Sequence, residues 1–66
     1  MKNNVRLERA RLQFTQEELA KRVDVTRQTI NALEQGKYVP STVLALKIAQ
    51  TFGKPVEAIF SLEETD

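Results

Sequence analysis

Residues 15–40 read TQEELAKRVDVTRQTINALEQGKYVP, and this stretch decides the fold. It opens on Thr15-Gln16-Glu17-Glu18, which has the form of a capping box. In that motif the threonine hydroxyl accepts from the backbone N–H three residues on, and the glutamate there reaches back to the threonine N–H. Leu19, Ala20 and Val23 supply the apolar stripe of the helix that follows. A second cap, Thr26, starts another helix, which runs to Gln35 with Gly36 in the position that favours left-handed backbone. Only Asp24-Val25-Thr26 separates the two. So short a link makes the axes cross steeply, and residues 16–35 are expected to form a helix-turn-helix.

Working outward, Val5, Arg9 and Leu12 stand at helical spacing and predict a first helix from about Asn4 to Leu12. Pro40-Ser41 opens a fourth helix carrying Leu44, Ala45, Ile48, Ala49 and Phe52, closed by Gly53. Pro55 sits in the first turn of a short fifth segment with Val56, Ile59 and Phe60. Glu63 to Asp66 are expected to be a frayed acidic tail. Beta-branched residues never alternate with polar ones over a strand length, so no sheet is expected. The expectation is all-α: a compact five-helix bundle, one domain over residues 1–66.

Composition narrows the function. Hydrophobic residues make up 41% of the 66, enough for one small core, and charged residues 29%. A chain this short buries only about 60% of the surface it exposes when unfolded, which makes stability marginal. There is no cysteine and no histidine, which excludes disulfides, metals ligated by those residues, and histidine bases. The longest apolar run, Val43 to Leu46, is far too short to span a bilayer. A soluble, cytoplasmic, cofactor-free chain is expected. Net charge is +1, but residues 1–37 hold eight Lys or Arg against five acids, a balance of +3, while residues 38–66 hold two against four, a balance of −2. The first half is therefore mildly attractive to a polyanion.

The third helix supplies the sharper signal. With Arg27 at zero and 3.6 residues per turn, Asn31, Gln35, Gln28 and Ala32 fall at about 40°, 80°, 100° and 140°. Ile30 and Leu33 fall on the opposite side. A solvated face ordinarily favours Glu and Lys. This one offers Arg, Asn and Gln, whose planar ends match base edges, with a small residue able to meet a thymine methyl. Glu34 borders the apolar face, where an acid needs a cation. Arg9, on the stripe of the first helix, is the expected partner.

These residues, with Ala45 to Gly53 and Val56 to Phe60 behind them, resemble the lambda-repressor-like, Cro-type (XRE-like) helix-turn-helix transcription regulators over about residues 4–60. The chain closely resembles the short, stand-alone bacterial and archaeal members with Arg-Gln-Thr-Ile in the third helix. The resemblance implies a five-helix bundle that binds operator DNA as a dimer. It implies base reading by Arg27, Gln28, Asn31 and Ala32, and contacts to the DNA backbone from Gln16, Thr26, Gln35 and Lys37. It also implies a structural ion pair between Arg9 and Glu34. Asp24 and Gln13 stand where the family commonly has glycine. Asp tolerates positive φ better than most residues, so a slightly strained but intact turn is expected there.

The leading reading is a sequence-specific regulator of transcription, a repressor, whose partner is double-stranded operator DNA. A protein-interaction module on the same fold, an antitoxin or adaptor, is the alternative. Catalysis is set aside: Glu17 and Glu18 are adjacent on a helix and point about 100° apart, and no nucleophile–base set or phosphate loop accompanies them. Few base pairs are read by one helix, so a homodimer is expected, with Val56, Ile59, Phe60 and Leu62 at its contact. No membrane partner and no small-molecule effector domain are expected.

Overall fold

Four of the five helices end on one device. In the computed structural model, which describes residues 1–66, the helices are α1 (Val5–Arg11), α2 (Gln16–Val23), α3 (Arg27–Glu34), α4 (Thr42–Phe52) and α5 (Val56–Ile59). Just past α1, α2, α3 and α4 stand Gln13, Asp24, Gly36 and Gly53, with φ of 59°, 61°, 75° and 70°. The next residue in each case donates its N–H back five positions: Phe14 to Arg9, Val25 to Ala20, Lys37 to Ala32 and Lys54 to Ala49, at 2.9–3.1 Å. This pattern satisfies carbonyls that a helix end leaves without a partner. Glycine enters the left-handed region freely, whereas a side chain there costs about 1–2 kcal/mol. Gln13 and Asp24 thus make the same turn at a cost.

The starts are equally explicit. Thr15 Oγ1 accepts from the Glu18 N–H, and a Glu18 carboxylate oxygen accepts from the Thr15 N–H, both at 3.0 Å. The backbone bond from Thr15 is the larger cause that holds the Glu18 carboxyl below its ordinary range. Thr26 and Ser41 accept from Thr29 and Leu44 at 3.2 and 3.1 Å, which caps α3 and α4. Pro55 is the residue before α5. Asn3 does two jobs: its Oδ1 accepts from the Val5 N–H at 3.1 Å, and its Nδ2 donates to the Leu33 carbonyl at 2.9 Å. The start of α1 is thereby fixed to the end of α3.

The core gathers the expected stripes. Val5, Leu19, Ile30, Leu33 and Ile48 are fully buried, and Val23, Phe52 and Ile59 nearly so. Sequence did not reveal how Glu8 is held. It lies at the core edge, takes Arg11 Nε and Lys54 Nζ at 2.8 Å each, and so ties α1 to the end of α4. The Lys54 and Arg11 hydrogen bonds hold its carboxyl below the ordinary range.

One expectation is corrected. A two-stranded antiparallel sheet is present: β1 (Lys2–Asn3) pairs with β2 (Phe60–Ser61), Lys2 opposite Ser61 and Asn3 opposite Phe60. Strands of two residues are too short to carry an alternating pattern, so periodicity could not announce them. At the exposed acidic end an Asp66 carboxylate oxygen accepts from the Met1 amino group at 3.0 Å, and the other from the Glu63 N–H at 2.8 Å. No helix is long and apolar enough to cross a membrane.

Replacing Gln13 with glycine should stabilise the protein. Relief of about 1–2 kcal/mol of left-handed strain is partly offset by the extra chain entropy of glycine, about 0.5–1 kcal/mol. A net gain of about 0.5–1 kcal/mol should raise the melting temperature by roughly 2–8 °C. A melting temperature that stayed the same or fell would mean that the strain at Gln13 is no larger than the entropy cost of glycine.

Candidate nucleic-acid interface

The outward side of α3 is a shallow polar depression lined by Arg27, Gln28, Asn31, Ala32, Gln35 and Lys37. All four residues expected to read bases, and two of those expected on the DNA backbone, therefore share one surface. Two further depressions adjoin it through shared residues. One is lined by Arg6, Arg9, Gln16, Asn31, Glu34 and Gln35, the other by Arg9, Thr15, Gln16, Glu17 and Arg27. The caps explain why this face exists. Thr15 and Thr26 set where α2 and α3 begin, so Gln16 opens α2 beside α3, and Arg27 and Gln28 form the exposed first turn of α3. Thr26 itself is exposed, with its hydroxyl shared between the Thr29 N–H and the Thr29 hydroxyl.

Behind this surface lies a continuous hydrogen-bond network. Arg9 grips Glu34 with two nitrogens, Nε to Oε2 at 2.7 Å and Nη2 to Oε1 at 3.2 Å. Its Nη1 donates to the Phe14 carbonyl at 2.9 Å. The side chains are 17% and 5% exposed, so the pair is largely withdrawn from water. The hydrogen bond to Glu34 raises the Arg9 pKa above its already high value. Gln16 Nε2 donates to Glu34 Oε1 at 3.1 Å, and Asn31 Nδ2 donates to Gln16 Oε1 at 3.4 Å. Gln35 Nε2 donates to Asn31 Oδ1 at 2.6 Å. Arg27 and Gln28 stand outside the network, exposed. Asn31 is half-buried, with one bond already made at each end of its amide.

Sequence reasoning missed two features of this site. Arg6 is exposed and lines the middle depression beside Gln16 and Gln35. Its position three residues before Arg9, on the same helical side, was the available signal. The link from Gln16 to Asn31 joins side chains of different helices, and no periodicity encodes such a contact.

Burial divides the cluster expected at a dimer contact. Ile59 and Phe60 are buried in the chain's own core, and Val56 is half-buried. Only Leu62, 78% exposed, stands free. The physical reason is size: α5 and β2 must close a core that four short helices leave open. Val43 and Leu46 on α4 are exposed large apolar residues outside that cluster.

A model of the helix-turn-helix family matches residues 5–59. The chain is 53% identical over 64 residues to the uncharacterized HTH-type transcriptional regulator YgzD of Bacillus subtilis, covering 97% of each chain. It is 52% identical over 66 residues to an uncharacterized HTH-type transcriptional regulator of Methanocaldococcus jannaschii, covering all of both. A third protein so described, from Methanothermobacter thermautotrophicus, is 54% identical over 65 residues, with 97% of this chain and 94% of the relative covered.

Removing Arg9 should unfold the protein more easily, because Glu34 would keep its burial and lose its cation. Breaking a buried pair costs about 3–5 kcal/mol and an exposed one about 0–1. Arg9→Ala is expected to cost about 2–3 kcal/mol, since water reaches Arg9 in part. Chemical denaturation measures this directly, and an unchanged midpoint would mean that the pair contributes nothing.

Proposed function

The chain belongs to the helix-turn-helix family, whose members similar to it carry the description of transcriptional regulators, and on that premise we propose that it is a sequence-specific DNA-binding repressor. In this reading α3 enters the major groove of duplex DNA. Arg27 and Gln28 lead, each able to make a two-point contact with guanine or adenine. Asn31 and Ala32 follow one turn deeper. Gln16, Thr26, Gln35 and Lys37 hold the flanking phosphates, which fixes the register without reading sequence. The single observation that carries the proposal is the shared depression on α3, where Arg, Asn and Gln side chains cluster around one alanine.

Two copies per site follow from information and geometry. Each good two-point contact discriminates by about 1–3 kcal/mol, so one helix specifies only a few base pairs. A genome offers on the order of 10⁶ or more competing sites. A net charge of +1 adds little unspecific attraction to make up the difference. A two-fold pair doubles the reading, and half-sites one turn apart lie about 34 Å from centre to centre. The chain measures 31 × 22 × 20 Å, so neighbouring copies bridge that distance. Leu62 and the open part of Val56 are the apolar surface assigned to their contact. Occupancy of an operator then excludes other proteins from it, which is repression in its simplest form.

Exposed Val43, Leu46 and Leu62 favour a second reading, a protein-interaction module on the same fold. A gel shift against random-sequence duplex at low salt separates the two, since the first requires a shifted band and the second does not.

Single substitutions should then divide into two kinds. Gln28→Ala is expected to lose about 1–3 kcal/mol on its selected site and to relax the preference at one base pair. Lys37→Ala should weaken specific and random DNA alike and lower the salt slope by about one. Titration of each variant at several salt concentrations checks this. A Gln28 variant with unchanged base preference, or a Lys37 variant weakened only on specific sites, would contradict the assigned roles.

A further inference from the structure

We infer that Glu34 sets the base preference of Asn31 by fixing the direction of the hydrogen bonds that present Asn31 to DNA, although Glu34 itself touches no base. The inference rests on the DNA-reading role proposed for α3. A carboxylate only accepts hydrogen bonds. Glu34 Oε1 takes one from Arg9 and one from Gln16, so the Gln16 amide must turn its NH₂ group inward and its carbonyl outward. That carbonyl accepts from Asn31 Nδ2. Asn31 must then offer its own oxygen on the other side, where Gln35 Nε2 donates. Every donor in the chain points back towards Glu34. No single amide can reverse without setting donor against donor or acceptor against acceptor.

The consequence reaches the outer surface. Each of these amides keeps one hydrogen and spare acceptor capacity beyond its network bonds. Gln16 retains an N–H for a phosphate, which can only accept. Asn31 retains one N–H and one lone pair in a fixed order. That order can match the acceptor N7 and donor N6 of adenine, and it fails when reversed. Arg9, by contrast, holds Glu34 in place without deciding any direction. Glu34 is therefore a positioning residue for specificity, and Arg9 one for stability.

Glu34→Gln tests this, because glutamine keeps the shape but can donate as well as accept, which lets the chain of amides run either way. Preference for the native base pair under Asn31 should fall at least about fivefold, the low end of a two-point contact. Random-sequence DNA should be held as tightly or more tightly, since one negative charge is gone. Arg9→Lys leaves the carboxylate acting as sole acceptor. It should lower the melting temperature and keep the base preference, measured well below that temperature. Two-dimensional NMR of the free protein gives a readout without DNA. The side-chain NH₂ signals of Gln16 and Asn31 should be dispersed in the native chain and collapse towards free-amide positions in Glu34→Gln. Should that variant not fold, Gln16→Met cuts the chain one link later and should lose the same preference.

If Asn31→Ala keeps the native base preference, Asn31 reads no base, and the reading of α3 fails at that position together with this inference. If Asn31→Ala loses the preference while Glu34→Gln retains it with unchanged NH₂ signals, the inference alone is overturned. A preference lost in proportion to stability, in Arg9→Lys as much as in Glu34→Gln, would make Glu34 merely structural and overturn it as well.

Discussion

The fold and the outward face of α3 both depend on one nearly buried carboxylate, Glu34. It sits at the last turn of α3, and Arg9 of α1 and Gln16 of α2 converge on it. Three helices are thereby fixed around a group that is costly to bury unless its oxygens are satisfied. They are satisfied: no buried side-chain nitrogen or oxygen in the chain lacks a partner. The apolar core alone would let α1 slide on α3, because aliphatic contacts are non-directional. A two-nitrogen grip from a planar guanidinium is directional, and it sets the docking angle.

Much of this was legible in the sequence, and particular residues say why. Thr15, Glu18 and Thr26 act within one helical turn, so local chemistry alone announces the caps and the tight α2–α3 link. Glu34 betrayed itself by standing at the edge of an apolar face, and Arg9 by interrupting one. The gathering of Arg27, Gln28, Asn31 and Ala32 on one side follows from helical geometry. Apart from the Arg9–Glu34 pair, contacts between residues distant in the chain were not legible. Lys54 reaches Glu8 across 46 positions, and the β1–β2 pairing joins opposite ends with two residues each. Ile59 and Phe60 read as surplus because a count of apolar residues does not say how much core five short helices leave uncovered.

The left-handed turns show the same division between local rule and context. Glycine at 36 and 53 marks its own helix ends. Gln13 and Asp24 adopt the same backbone without a sequence signal of that strength, held by the bonds from Phe14 and Val25 and by the helices on either side. Asp24 lies between the two helices of the helix-turn-helix, so the strain is stored at the turn that sets the angle of α2 to α3. A nearly neutral net charge gives the chain little unspecific hold on DNA. The proposed recognition would then rest on geometry, for which the half-buried network behind α3 supplies rigidity.

Selection of bound duplexes from a random-sequence library, with the stoichiometry of the winning site determined, decides whether two copies of α3 read DNA together. The expected product is an inverted repeat whose half-sites lie about one helical turn, roughly 34 Å, apart and which binds two chains. A selected pool no different from the starting library, or a lone half-site bound by one chain, would contradict it.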